Sequence, residues 1–336
     1  MQRYVSLLFI WLTFSCAVSA DTLKLVTTEW ESFTNQGAHS ERLNEIVKTA
    51  LQRAGHTVRI TTERPAFAGS GLNSGRYDGR IDFIDLNEQR VNFIYSAPYL
   101  PLYLHLVSKT ADVETVRSFA QVRNSRVAIE NRYAATPPLR LVRDIKWSRN
   151  PNTFESINNL ADERSNYLLT DLLFFNEFNR LLQSENEELL HRSQQAIFQT
   201  ALHLSLSQTV PNAQQIINDF NQQIQQMLLD GSMNKLLGVA WIVASNGSDS
   251  EAELISSLEV QHRADMLADN GELALYHAYP WGNADNAIAS YRIDGKVFPS
   301  WTAATDYIRT NSRTVLQQER DSFLDPAAYQ GILRTW

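Results

Sequence analysis

The sequence predicts an α/β protein built from two lobes, because two strand–helix–strand series follow one another along the chain. The first series has an alternating strand at residues 23–27, an amphipathic helix at 39–54 and a strand that begins at residue 58. Apolar residues in the helix recur at helical spacing, which is typical of a helix that packs on a sheet. Two strands joined by a helix in this way lie parallel in one sheet.

A second series predicts the second lobe. It contains strands at residues 126–129 and 167–169, with a helix at 154–160 between them. An alternating stretch at 200–206 would then return the chain to the first lobe, where a helix at 213–229 would complete the fold.

The loop after the first strand is a candidate for the ligand site, because open parallel sheets bind ligands beyond the carboxyl ends of their strands. This loop contains Glu29, Trp30 and Phe33. Aromatic residues beside polar groups often form the apolar walls of a small-molecule pocket. Packing in the core is the alternative role for Trp30 and Phe33.

The N-terminal segment, residues 1–20, predicts a secretory signal peptide. It combines the basic Arg3, an apolar stretch and small residues at Val18 and Ala20. The apolar stretch is shorter than the roughly 20 residues that a membrane-spanning helix needs. We therefore expect cleavage after Ala20 and a periplasmic location. The single cysteine, Cys16, lies within this peptide, so the exported chain would form no disulfide.

The composition excludes several classes of function. The chain has 336 residues, of which 30 are basic and 37 acidic, and its net charge is −7. Because it has no block of basic residues, neither nucleic acid nor an anionic membrane is an expected partner. With 43% hydrophobic residues it can bury a large core and should divide into two or three domains.

The common hydrolase, P-loop and zinc-protease motifs are absent and the histidines show no metal-ligand spacing, so we predict no enzyme activity, cofactor or metal.

The stretch at residues 72–109 carries the most specific motifs. The sequence SGRYD at 74–78 is followed by a strand at 81–86, by Arg90 and by YSAPY at 95–99. In this order the motifs resemble those of the bacterial extracellular solute-binding proteins of family 3, the periplasmic amino-acid-binding type.

The resemblance, which covers about residues 23–241, implies the two-lobe periplasmic binding protein fold of type II, with crossover strands. Lobe 1 would comprise residues 21–103 and 204–241, and lobe 2 residues 104–203. Such a protein is a monomer that closes around a small polar solute, an amino acid or a related small acid. It then hands the solute to an ABC transporter or a sensor in the inner membrane.

The family also implies the two poles of the site. Arg90 stands where its arginine binds the ligand α-carboxylate, and a guanidinium can hold a carboxylate with two parallel hydrogen bonds. Asp171 stands where an aspartate binds the ligand ammonium. On the residues alone, Arg90 could equally be a surface arginine paired with Glu88 or Asp85, and Asp171 could cap the next helix.

Several residues depart from the family pattern and favour a ligand other than a plain α-amino acid. Asp85 stands where the family often has a ligand-binding threonine, and the loop that begins at Glu130 lacks the usual glycine–threonine pair. Arg80 and Asp82 add charge near the strand. A few relatives are dehydratases, and in such an enzyme Glu29 and Glu130 would be the acids. The predicted ligand-binding residues are Arg90, Asp171, Trp30, Glu29, Phe33, Asp85 and Glu130.

Residues 242–336 form an extension that the family typically lacks. A polar linker at 245–250 precedes a predicted helix at 251–267, a hairpin around the Asp294–Gly295 turn and a helix at 301–320. Its many aromatic residues need burial, so we expect the extension to dock on the core without forming part of the cleft. The alternative is an interaction surface, which would make the chain a non-transport binding or adapter protein that acts through its extension.

Overall fold

The computed structural model describes residues 22–31, 33–34, 41–245, 251–268, 270–282, 287–312, 315–316 and 320–336. The predicted signal peptide lies outside these ranges, as does the segment 246–250 of the predicted linker. Within them, no helix has both the length and the apolar character that crossing a membrane requires.

Lobe 1 begins with alternating strands and helices. They are β1 (Leu23–Thr28), α1 (Arg42–Arg53), β2 (Val58–Glu63), α2 (Pro65–Asn73), β3 (Gly79–Ile84) and β4 (Phe93–Tyr95). β1 lies between β2 and β3 and is parallel to both, so the predicted strand–helix–strand unit is confirmed. The apolar positions of α1 recur at helical spacing because Leu43, Ile46, Val47 and Leu51 are buried on one side of it.

The chain then enters and leaves lobe 2 through two long strands. The next elements are β5 (Leu100–Ser108), β6 (Arg126–Glu130), α3 (Asn131–Ala134), α4 (Pro137–Leu141), β7 (Lys146–Asn150), α5 (Thr153–Ala161), β8 (Tyr167–Asp171), α6 (Leu172–Ser184), β9 (His191–Arg192), β10 (Phe198–Ser207), α7 (Ala213–Leu229) and α8 (Ser232–Leu237). In lobe 2, β6 lies parallel between β7 and β8. β10 brings the chain back to lobe 1, where α7 packs against α1.

The two lobes are joined by β5 and β10, which run antiparallel to each other. Leu100 to Leu104 of β5 pair with Phe198 to Leu202 of β10. Beyond this paired section the strands separate, since β5 continues along β8 of lobe 2 and β10 continues along β3 and β4 of lobe 1. The strand order is β2-β1-β3-β10-β5-β8-β6-β7. The predicted two-lobe α/β fold with crossover strands is therefore confirmed.

The extension after residue 241 contains a second sheet. Its elements are β11 (Ile242–Ser245), β12 (Glu251–Ser256), β13 (His262–Arg263), α9 (Ala264–Ala268), α10 (Glu272–Tyr276), β14 (Tyr279–Trp281), β15 (Ala287–Ile293), β16 (Lys296–Phe298), α11 (Trp301–Asn311), β17 (Val315–Leu316) and α12 (Pro326–Leu333). Five of the strands form a sheet in the order β14-β11-β12-β15-β16.

Parts of the extension differ from the sequence-based expectation. The predicted helix at 251–267 is wrong, because residues 251–256 form the central strand β12, which is buried on both faces and so lacks simple alternation. β11 and β12 pair antiparallel, so the predicted linker joins two strands of one sheet. The predicted helix at 301–320 ends earlier, since α11 stops at Asn311. The hairpin around Asp294–Gly295 is confirmed by the pairing of β15 with β16.

One face of the second sheet packs on the two-lobe core. Ile242, Ala244 and Ile255 belong to the main core, whereas Trp241 and Val243 belong to a separate core that includes residues of α11. Alternate residues of a strand point to opposite faces of a sheet, so the same strands serve both cores. The expected docking of the extension on the core is confirmed by this arrangement.

The end of the extension is tied to both lobes at Glu177, a buried residue of α6 in lobe 2. Its Oε1 accepts hydrogen bonds from Arg42 of α1 in lobe 1 and, at 3.1 Å, from Arg180. Arg320 of the extension donates to the same carboxylate at 2.5 and 3.3 Å, and the backbone N–H of Phe323 donates to Oε2 at 2.9 Å. Burial alone would raise the pKa of Glu177, but the arginines lower it to about 2.

We expect Glu177→Gln to destabilise the protein by about 3–5 kcal/mol at pH 7, because it removes the negative charge from among buried guanidinium groups. The difference in stability between variant and wild type should shrink as the pH falls from 4.5 towards about 2. In this range Glu177 of the wild type takes up a proton, first in the unfolded state and then in the folded state, so the wild type loses the same charge. Urea unfolding at several pH values measures both effects. Glu187→Gln, at an exposed position, is the control; an equal and pH-independent loss in both variants would contradict the role assigned to Glu177.

Candidate functional site

The two lobes meet at Asp82 of β3, which is bonded to Thr28 at the end of β1 in lobe 1 and to Arg132, just after β6, in lobe 2. The Oδ2 atom of Asp82 accepts hydrogen bonds from the backbone N–H and the hydroxyl of Thr28 at 3.1 and 2.6 Å. Its Oδ1 atom accepts from Nε and Nη2 of Arg80 at 2.9 and 2.7 Å. Burial opposes ionisation, yet Arg80, Arg132 and Thr28 together lower the pKa of Asp82 to about 2. The carboxylate is therefore charged at neutral pH.

Arg132 reaches across from lobe 2 and fills the space beside Asp82. It lies on α3, directly after β6, and its side chain is only 12% exposed. Nη1 donates to Oγ1 of Thr28 at 3.0 Å and to Oδ2 of Asp82 at 3.3 Å, and Nη2 donates to the backbone oxygen of Glu29 at 2.8 Å. The guanidinium carbon lies 4.2 Å from the centroid of the Trp30 ring. The surrounding residues, which we call the Arg132 chamber, are Thr28, Glu29, Trp30, Asp82 and Glu130.

Glu130 closes the chamber from lobe 2. Its Oε1 atom accepts a hydrogen bond from Nε of Arg132 at 3.2 Å, and its Oε2 atom accepts from the Thr153 hydroxyl at 3.0 Å. Burial raises the pKa of Glu130 to about 7 although Arg132 opposes the shift, and the charge of Glu31 adds to it. Glu31 also accepts a hydrogen bond from the backbone N–H of Thr153 at 3.3 Å, which is a further contact between the lobes.

A cavity of about 400 Å³ lies next to the chamber and is lined by both lobes. Arg80 is common to both, because it pairs with Asp82 and also lines the cavity. Arg90 of lobe 1 and Arg140 of α4 in lobe 2 bring further positive charge. Within the described part of the chain, no ion pair engages Arg90 or Arg140. The lining residues of this arginine cavity are Leu72, Arg80, Phe83, Asn87, Glu88, Arg90, Phe93, Tyr95, Ala135, Pro137, Arg140 and Ser205.

The predicted site residues of the first-strand loop and Arg90 lie at different depths. Arg90 is exposed, lines the arginine cavity and donates from Nη1 to Oδ1 of Asn73 at 2.9 Å. Trp30 and Phe33 are fully buried in the main core, which is the alternative role that the sequence allowed. One face of Trp30 nonetheless lies against the guanidinium of Arg132, so this residue contributes to both the core and the cleft.

The remaining predicted residues hold the framework around the cleft. Glu29 is exposed and contributes its backbone oxygen to the chamber. Asp85 accepts a hydrogen bond from the Thr200 hydroxyl, which fastens the end of β3 to β10. Asp171 caps α6 by accepting from the backbone N–H of Phe174 at 2.9 Å, and burial raises its pKa to about 6. Contacts of these side chains with a solute stay a prediction.

The sequence-based site did not include Arg132, Asp82, Arg80 or Arg140. The sequence did contain an indication of Arg132, Asp82 and Arg80. They are charged residues in segments that are otherwise mostly apolar, and a buried charge needs a partner. Arg80 and Asp82 alternate within a strand of otherwise apolar residues. Arg132 belongs to the segment after β6 that lacks the glycine–threonine pair, and the structure forms this segment as α3.

Comparisons with known proteins bear on the fold alone. No protein-family model matches this sequence, and no curated protein matches it. The solved structure of the GluR0 ligand-binding core in complex with L-glutamate is similar over 65% of this chain and 97% of that chain, with 15% identity and a TM-score of 0.53. A histidine kinase sensor domain with similarity to periplasmic binding proteins is similar over 64% and 94%, with 15% identity and a TM-score of 0.50.

A third similar structure is the P235GK mutant of ArgBP from T. maritima. The similarity covers 64% of this chain and 93% of that chain, with 13% identity and a TM-score of 0.50. The chain has the fold of the two-lobe periplasmic binding proteins. Each of these alignments covers nearly the whole of the other chain but leaves about a third of this chain unmatched.

We expect Glu130→Gln to change how stability depends on pH. Because the pKa of Glu130 is raised from 4.5 to about 7 in the folded protein, the wild type should lose stability from this group as the pH rises through that range. The variant cannot ionise there, so its stability relative to the wild type should increase by about 1–3 kcal/mol between pH 4.5 and 8. Urea unfolding of both proteins at pH 4.5, 6 and 8 measures the difference. Glu155→Gln, at an exposed position of α5, serves as the control; parallel pH profiles for Glu130→Gln and the wild type would show that the group titrates normally.

Proposed function

We propose that this protein is a periplasmic solute-binding protein of the family 3 type that captures a small organic acid between its lobes, without catalysis. Movement about the paired section of β5 and β10 would close the lobes around the solute. The recipient would be an ABC transporter or a sensor in the inner membrane. Since one similar structure is a histidine kinase sensor domain, a sensor is as reasonable a recipient as a transporter.

The observation that carries this proposal is the charge of the arginine cavity. Its cationic lining residues are Arg80, Arg90 and Arg140, and Glu88 is its acidic one. Guanidinium groups bind carboxylates through parallel, charge-assisted hydrogen bonds. Because the arginines belong to different lobes, a carboxylate between them would gain its full set of contacts only in the closed form. Such a solute would therefore stabilise the closed form relative to the open one.

The other side of the cavity favours an acid with an apolar part. Phe83, Phe93 and Tyr95 line it, and the rings of Phe83 and Tyr95 lie 4.5 Å apart. Small-molecule sites are typically about 300–1,000 Å³ and combine apolar walls with a few polar groups. The cavity lies at the lower end of that range, so we propose a carboxylate with a short aliphatic or aromatic body as the solute.

A thermal-shift screen tests this function directly. We expect small carboxylates to raise the melting temperature in a concentration-dependent way, because a ligand that binds only the folded state stabilises it. Amines of similar size should have no such effect. For the best acid, we expect Arg140→Gln and Arg90→Lys each to weaken binding about 10- to 100-fold in titration calorimetry, as loss of a charge-assisted hydrogen bond costs roughly 1.5–3 kcal/mol.

Arg143→Gln is the matched control, since Arg143 is exposed just after α4 and does not line the cavity. It changes the net charge equally but should alter affinity less than about twofold, because a solvent-exposed charge outside the site is screened by salt. If no acid raises the melting temperature, or if the control weakens binding as much as Arg140→Gln, the proposed function is wrong.

A second candidate is a non-transport binding or adapter protein that acts through its extension. The observation in its favour is the carboxylate of Glu177, where Arg42 of lobe 1 and Arg320 of the extension meet lobe 2. Glu177 therefore ties the extension to both lobes. This candidate leads us to expect that no small acid stabilises the chain, so the same thermal-shift screen separates the two functions.

A further inference from the structure

The guanidinium of Arg132 is bound as a separate cationic ligand would be. Its N–H groups are directed at a hydroxyl, a backbone oxygen and the carboxylates of Asp82 and Glu130, at distances from 2.8 to 3.3 Å. The ring of Trp30 lies under its planar group at 4.2 Å. An aromatic face together with acceptors in the plane is the environment that best replaces the hydration of a guanidinium.

Most of these partners belong to the other lobe. Arg132 and Glu130 lie on lobe 2, whereas Thr28, Trp30 and Asp82 lie on lobe 1. The side chain therefore does what a solute does in a closing two-lobe protein, since its contacts exist in full only when the lobes are together. The difference is that the cation is covalently attached.

We propose that the Arg132 chamber is a guanidinium-binding site that the protein fills with its own Arg132, a tethered ligand that holds the lobes closed. A group that is tethered through a single side chain competes at a millimolar or higher effective concentration. Free guanidinium or ammonium compounds are therefore excluded from the chamber of the wild type. When Arg132 is shortened, the chamber accepts them.

A consequence for selectivity follows, and it rests on the proposed function. Arg132 occupies the cation-binding part of the cleft, so a solute in the neighbouring arginine cavity finds no free carboxylate at Asp82 for an ammonium group. The chain should then prefer simple carboxylic acids over α-amino acids.

Chemical rescue of Arg132→Ala tests the tethered ligand. We expect this variant to melt several degrees below the wild type, since its lobes lose the contacts of Arg132. Methylguanidinium chloride, added up to about 10 mM against matched NaCl, should raise its melting temperature in a saturable way, as a ligand of the folded state does. The wild type should not respond, because its site is already filled.

Two further variants sharpen the test. In Arg132→Ala with Asp82→Asn the rescue should disappear, because the chamber has lost its charged acceptor. Arg143→Ala, at an exposed arginine of the same lobe, should show neither the loss nor the rescue. An equal response to methylguanidinium in the wild type, the single variant and the double variant would overturn the proposal.

If Arg132→Ala does not fold, Arg132→Gln provides the same readout with a smaller loss of hydrogen bonds. Refolding of either variant only when methylguanidinium is present would support the proposal, and failure of both to respond would contradict it. No organic acid is used in this experiment. A negative result with methylguanidinium therefore does not contradict the proposed acid-binding function. A negative result in the acid screen, in turn, does not contradict the proposal for the Arg132 chamber.

Discussion

The contact between Arg132 and Asp82 is the interaction on which the closed arrangement of the lobes depends. A buried charge is stable only if nearby groups replace the water that it has lost. Asp82 receives Thr28 and Arg80 from its own lobe, and Arg132 from the other. Opening the lobes would return Arg132 to water and remove one of the positive charges that keep the pKa of Asp82 near 2. The closed form is therefore favoured by side chains of the protein itself.

The extension adds a second connection between the lobes at a different carboxylate. Arg42 of lobe 1 and Arg320 of the extension both pair with Glu177 of lobe 2. Near the crossover, the hydroxyl of Tyr279 donates to the backbone oxygen of Pro101 at 2.5 Å. Because the extension contacts both the lobes and a crossover strand, separation of the lobes would disturb its contacts. The arginine cavity is the space that remains for a solute between lobes already held in this way.

The parts of the fold that depend on local periodicity could be predicted from the sequence. The alternation at β1 and the helical spacing in α1 were sufficient to indicate the parallel sheet. β12 could not be recognised, because a central strand covered on both faces has no polar side and resembles a short buried helix. Its faces are covered by two separate cores, since Ile255 belongs to the main core and Leu254 to the core of the extension.

The site was less predictable than the fold, for a physical reason. Arg90 was predicted because its position follows a motif, and the structure places it at the arginine cavity. Two of the three partners of Asp82, by contrast, are distant in the sequence: Thr28 lies 54 residues before it and Arg132 lies 50 residues after it. No local pattern links Thr28, Asp82 and Arg132, because their meeting depends on the docking of one lobe on the other. The helix cap at Asp171, by contrast, is a local contact with Phe174, three residues further along the chain, and it was one of the two roles that the sequence allowed.

The most direct measurement of the central claim is the distance between the lobes in the absence of any solute. Spin labels at Ala66→Cys of α2 and Arg143→Cys after α4, both exposed, can be placed in a chain whose only other cysteine, Cys16, has been replaced. Double electron–electron resonance should then give a single narrow distance for the wild-type background and a longer, broader distribution when Arg132→Ala is added. A broad, open distribution in the wild-type background, or identical distributions with and without Arg132, would show that this side chain does not hold the lobes together.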